Sequence, residues 1–125
     1  MSRIFRIAEM FHQQDSSCDE GPDALTAAVA ADTLVIPTDH MYIAKTSGDD
    51  AEALTLADGK PGQILIINLV VAGGGAATLT PATSTGWSTI IFLGQYDQAV
   101  LLYIDDTVGW IIFGVSGTDQ PPVVS

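Results

Sequence analysis

The sequence predicts an all-β protein: a small sandwich or barrel of about seven or eight short strands behind an extended N-terminal arm. Three observations carry this. Turn clusters of Gly, Pro, Asp and Ser recur about every 8–12 residues from Met41 onward. Ile, Val, Leu and aromatic residues fill the segments between them. No long run of apolar residues at helical spacing competes with that pattern.

Residues 1–22 read as an arm and linker, and residues 23–125 as one β domain. Ile4, Phe5, Ile7, Met10 and Phe11 alternate irregularly with Arg3 and Arg6, and the turn-rich Asp15-Ser-Ser-Cys-Asp-Glu-Gly-Pro22 follows. An edge strand or a frayed terminus is the plainer reading of the same residues. Residues 24–31 are rich in alanine and follow Pro22, which suits a helix start, so one or two helical turns are expected there. Thr33-Leu34-Val35-Ile36 reads as a strand stopped by Pro37.

Further strands are expected at 41–45, 53–56, 63–71, 77–80, 88–93, 99–104 and 109–115. Thr46-Ser-Gly-Asp-Asp50, Asp58-Gly59, Pro61-Gly62 and Gly73-Gly74-Gly75 punctuate them. The segment 99–104 is apolar on both faces: Ala99, Leu101 and Tyr103 on one, Val100, Leu102 and Ile104 on the other. Ile64–Val71 and 110–113 share this character. A half-exposed antiparallel sheet shows one polar face, so a second layer must cover these strands. That layer is either the other sheet of the same chain or another subunit. The second possibility makes Ile64, Ile66, Trp87, Leu101 and Trp110 the candidate subunit-interface residues.

With 4 basic and 15 acidic residues the formal net charge is −11. No Lys, Arg or His follows Lys60. Nucleic acid is excluded as a partner, because phosphate binding needs Lys and Arg to replace counterions. An anionic membrane surface is disfavoured for the same reason. The longest apolar stretch is far short of the about 20 residues of a membrane helix. Arg3 and Arg6 are followed by no apolar run long enough for a signal peptide, which suggests synthesis in the cytoplasm. Cys18 is the single cysteine, so no disulfide forms within the chain.

The motifs that could carry chemistry read as structural. Gly73-Gly74-Gly75 lacks the Gly-Lys-Ser/Thr of a phosphate loop and reads as a turn or bulge. Asp49-Asp50-Ala51-Glu52 and Asp105-Asp106 offer oxygens, but not at the spacing of an EF-hand, and solvated turns are the simpler reading. His12 and His40 are the only histidines, and no Gly-x-Ser-x-Gly elbow accompanies Asp39-His40. A paired-carboxylate hydrolase would need a cleft that so short and apolar a chain hardly offers. No catalytic residue, metal ligand or cofactor is therefore expected. Trp87 and Trp110 each follow a glycine and read as core or interface anchors; an exposed Trp would instead suit glycan binding.

Residues 50–115 resemble a group of small phage virion proteins. The shared pattern is Glu52-Ala-Leu-Thr-Leu-Ala-Asp-Gly59, Pro61-Gly62-Gln63 and an Ile-rich strand, then the glycine turn at Gly73. Ala77-Thr-Leu-Thr-Pro81, Gly86-Trp-Ser-Thr-Ile-Ile-Phe92, Ala99-Val-Leu-Leu-Tyr103 and Gly109-Trp110 complete it. This chain has Gly94-Gln95 where such proteins often have Gly-Asp, and its strand after Gln63 lacks their lysines. The resemblance implies a non-enzymatic capsid-decoration, or cement, protein on the head surface, a homotrimer bound to the major capsid protein. Arg3, Ile4, Phe5, Arg6, Ile7 and Phe11 are then the candidate capsid-binding residues of the arm. A fibre or spike module for host or glycan recognition is the alternative.

Overall fold

A computed structural model describes residues 25–125. The arm residues Arg3, Ile4, Phe5, Arg6, Ile7 and Phe11, together with His12 and Cys18, lie outside the described residues, as does the boundary expected at residue 22.

The described chain is all-β. Its strands are β1 (Thr26–Val29), β2 (Val35–Ile36), β3 (Tyr42–Thr46), β4 (Glu52–Leu56) and β5 (Ile64–Val71). Then come β6 (Ala77–Pro81), β7 (Ile90–Phe92), β8 (Gln98–Tyr103), β9 (Trp110–Ser116) and β10 (Val123–Val124). They form two five-stranded mixed sheets in a sandwich-like arrangement, rather than a closed barrel. The first sheet has the order β1-β3-β5-β8-β9 and the second β10-β7-β6-β4-β2.

The chain alternates between the sheets from β1 to β6. Each odd strand therefore lies parallel to the previous odd one, and each even strand to the previous even one. This is a coil of successive two-strand rungs, a connection that parallel neighbours require because a tight hairpin cannot join them. From β7 the neighbours are antiparallel: β7 pairs with β6, β8 with β5, β9 with β8, and β10 with β7.

The alanine-rich segment is a strand, not helical turns. Its alanines offer no apolar stripe for a helix to bury, whereas β1 pairs with β3 from Thr26↔Tyr42 to Val29↔Lys45 and buries Val29. Tertiary pairing outweighs a propensity of a few tenths of a kcal/mol per residue, about the size of alanine's advantage. β1 and β10 bring the strands to ten, beyond the seven or eight expected.

The core lies between the sheets. Ile43, Leu65, Ile67, Leu69, Ala99, Leu101 and Tyr103 face inward from the first sheet. Ile36, Leu54, Leu56, Ala77, Leu79, Ile90 and Phe92 face them from the second. Period-two alternation makes this possible: β4 reads buried at Glu52, Leu54 and Leu56, and exposed at Ala53 and Thr55.

Trp110 closes one end of this core. Its indole N–H donates to the Ala57 carbonyl at 2.9 Å, and its ring meets Tyr103 edge-on at 5.2 Å between centroids. The Trp87 indole donates in turn to the Trp110 carbonyl at 3.0 Å. Gly59 leaves room for the ring, since a Cβ there would lie 2.8 Å from a Trp110 ring carbon. The glycine turn between β5 and β6 works in a similar way. Gly73 and Gly75 lie against the backbone of residues 47–50, where no Cβ fits, and Gly74 takes a φ of 109°.

Candidate functional site

The outer face of the first sheet is apolar. The registers align Tyr42, Ile66 and Val100 in one row across β3, β5 and β8, and Ile64, Leu102 and Ile111 in another across β5, β8 and β9. All six are partly exposed. Beside them Ala44, Asn68 and Gln98 form a third row, in which the Asn68 carboxamide donates to the Gln98 side chain at 2.8 Å. A register shift between Val100 and Leu101 places an extra β9 residue opposite β8. That extra residue is Phe113, 63% exposed.

None of these side chains is charged. With strands about 4.8 Å apart and about 3.3 Å of rise per residue, β3, β5, β8 and β9 span roughly 500 Å². That footprint includes the polar Asn68 and Gln98, so only part of it is apolar. The outer face of the second sheet is mixed. Ala53, Thr55, Thr78 and Thr80 put hydroxyls among its apolar residues Val35, Ile91 and Val123, and it too carries no charged side chain.

The candidate interface residues therefore divide. Ile64 and Ile66 sit on the outer apolar face. Trp87, Leu101 and Trp110 are at most 6% exposed and belong to the core, so as interface residues they are corrected. The inner apolar side of β8 and β9 is covered by this chain's own second sheet. Burial of both indoles also removes them as glycan-stacking rings.

Two polar nodes lie beneath the surface. Lys45 follows Ile43 in inward phase on β3, and Glu52 opens the inward phase of β4. The Lys45 Nζ lies 2.7 Å from Glu52 Oε1 and donates to the carbonyls of Ala30 and Thr33 at 2.8 and 3.0 Å. The other carboxylate oxygen accepts the Gly48 N–H at 2.5 Å. Burial pushes the Glu52 carboxyl up, but the Lys45 ammonium and the N–H groups of Gly48 and Asp32 outweigh it. The net pKa is lowered from its ordinary 4.5. The β1–β2 and β3–β4 loops are thereby tied to one ion pair.

The second node is Asp97, 4% exposed, whose Oδ2 accepts the N–H groups of Leu93 and Gly94 at 2.9 and 3.1 Å. It shapes the β7–β8 turn.

Asp105 and Asp106 are engaged within the chain, whereas Asp49 and Asp50 are exposed. Asp105 Oδ1 accepts the N–H groups of Thr107 and Val108, as expected of a turn aspartate. Asp106 accepts the Tyr103 hydroxyl at 2.6 Å, and that bond, with burial, pushes the Tyr103 phenol above its ordinary range. Glu52 is turned inward and is not part of a cation-binding turn with Asp49 and Asp50. Among the described residues no group of three or more His, Cys, Asp or Glu side chains is placed to hold a metal ion. The His40 ring lies 2.8 Å from the exposed Asp39 carboxylate. Among the described residues no helix is long and apolar enough to cross a membrane.

Neither a scan against protein-family models nor a search of curated proteins finds a match for this chain. The class supported is an all-β protein of two five-stranded mixed sheets.

Proposed function

We propose that this protein is an adhesive, non-catalytic building block of a phage virion: a decoration protein that binds the outer surface of the head and stabilises it. The observation that carries the reading is the uncharged outer face of the first sheet on a chain of net charge −11. A surface this acidic repels anionic partners, and apolar area released from water on an uncharged face supplies about 25 cal/mol per Å².

Its partners in this reading are the major capsid protein and further copies of itself, arranged as a homotrimer. Ile64, Ile66 and Leu102 contribute the contact between copies. The face alone falls short of the about 800 Å² that each side of a standard interface provides. The segment with Arg3, Ile4, Phe5, Arg6, Ile7 and Phe11 adds area and two cations for an acidic capsid patch. Binding to assembled shells favours the assembled over the dissociated state by mass action.

Co-sedimentation with purified undecorated heads tests this. Intact protein is expected to pellet with the heads, and protein lacking residues 2–14 to stay in the supernatant while remaining folded. Full binding by the truncated protein, or none by the intact one, contradicts the reading.

A further inference from the structure

A groove of about 530 Å³ runs between the β7–β8 turn and the segment that follows β9. Leu93, Tyr96 and Asp97 form one wall, and Asp119, Gln120 and Pro121 the other. We propose that this groove is a binding site for a neutral carbohydrate, with the Tyr96 ring as its stacking platform.

Tyr96 is unusual on two counts. Its φ is 69°, a left-handed conformation that costs a bulky L-residue energy, and its side chain is nevertheless 53% exposed. Strain of this kind persists only where the surroundings over-determine it. Here they do. The Tyr96 N–H donates to the Leu69 carbonyl at 2.6 Å, and the Asp97 N–H to the Gly94 carbonyl at 3.1 Å. Leu69 N–H returns a bond to the Asp97 carbonyl at 2.8 Å, and the Gln95 carboxamide donates to the Val70 carbonyl at 2.9 Å. The buried Asp97 carboxylate secures the turn from within. It also faces the opposite wall, where a Cβ on Gly117 would lie 2.6 Å from its Oδ1. The backbone that carries this half-exposed aromatic ring is thus fixed at the rim of the groove.

The chemistry of the groove selects the ligand. A pyranose presents an apolar C–H face to an aromatic ring and pairs of hydroxyls to planar carboxylates and carboxamides. Tyr96 offers the first, and the exposed Asp119 and Gln120 side chains the second. The charged side chains lining the groove are both acidic, and no Lys, Arg or His occurs after Lys60. Phosphorylated, sulfated and sialylated ligands are therefore repelled. A proline-rich peptide also stacks on aromatic residues, but it uses several rings and has little need of a carboxylate rim. The inference is independent of the capsid-binding reading, since the groove lies at the turn ends and not among the apolar rows of the first sheet.

The test uses the full chain on a printed array of neutral, sialylated and sulfated oligosaccharides, with an oligoproline peptide alongside. Amide NMR titration with the strongest neutral glycan then locates its site. Binding to neutral glycans is expected, with shifts at residues 93–97 and 118–121. Tyr96→Gly should weaken it about tenfold while leaving the melting temperature equal or higher, because glycine removes both the ring and the left-handed strain. No neutral glycan bound, a preference for anionic glycans, binding of oligoproline instead, or undiminished binding by Tyr96→Gly would each overturn the proposal.

Discussion

Lys45 and Glu52 meet as an ion pair at 2.7 Å with 1% and 2% of their side chains exposed, on neighbouring strands in sequence but in opposite sheets. A buried pair adds little over well-packed apolar residues, yet losing one member strands the other charge. Glu52→Gln is therefore expected to destabilise the fold by about 3–5 kcal/mol, measured by urea unfolding. The double variant Lys45→Met with Glu52→Leu should recover much of that loss. A single variant of wild-type stability would show that water or a rearranged loop reaches the pair.

The same carboxyl sets an acid limit. Its folded-state pKa lies below the ordinary 4.5, so the unfolded chain takes up the proton first as pH falls. The stabilisation it gives is complete above the unfolded value and is lost as pH drops through the folded one. Melting temperature followed downward from pH 6 should decline across that window. The decline attributable to this group should vanish in the apolar double variant.

Trp110 and Gly59 form a second test of packing. Gly59→Ala places a methyl group in the space of the indole, and overpacking of this kind costs about 1–3 kcal/mol. Trp110→Phe removes the donor to Ala57 and should also unpair the Ala57 carbonyl. The near-ultraviolet circular dichroism of the Tyr103–Trp110 pair should change in both variants. An unchanged spectrum with unchanged stability would contradict the close approach.

The two faces of β8 separate stability from adhesion. Leu101→Ala empties core volume and is expected to cost about 2–5 kcal/mol in denaturant unfolding. Leu102→Glu, on the outer face, should leave the folded monomer nearly as stable and prevent its association, read by sedimentation velocity. A variant Leu102→Glu that assembles like wild type would show that copies meet elsewhere.

The strands from β2 to β9 are legible in the sequence because turn residues bound apolar, β-branched or aromatic runs, some of which alternate in period two. Leu54 and Leu56 on β4 illustrate it. β1 is not legible, since the two alanines between Thr26 and Val29 break any alternation and sit in an alanine-rich run, and the strand is held by its pairing with β3. β10 is two residues behind a proline pair, too short for any periodic signal. The apolar doubling of β5 and β8 is visible in the sequence, but which side a sibling sheet covers is not. That assignment depends on strand order, and it places Leu101, Trp87 and Trp110 in the core rather than at an interface. The Lys45–Glu52 pair does leave a signal. Lys45 is in phase with Ile43, and Glu52 with Leu54 and Leu56, so period-two alternation alone turns each of them inward. The turn-like run Asp49-Asp50-Ala51-Glu52 obscures it by suggesting a solvated cluster. Tyr96 leaves no signal, because a left-handed φ at a non-glycine residue arises from the bonds around it.

Under the proposed reading the protein is a virion component, and its stoichiometry in purified phage particles tests that reading most directly. Quantitative mass spectrometry against the major capsid protein is expected to give a fixed ratio of the same order as that shell protein. A copy number matching a tail, fibre or spike component, or absence from the virion, would contradict it.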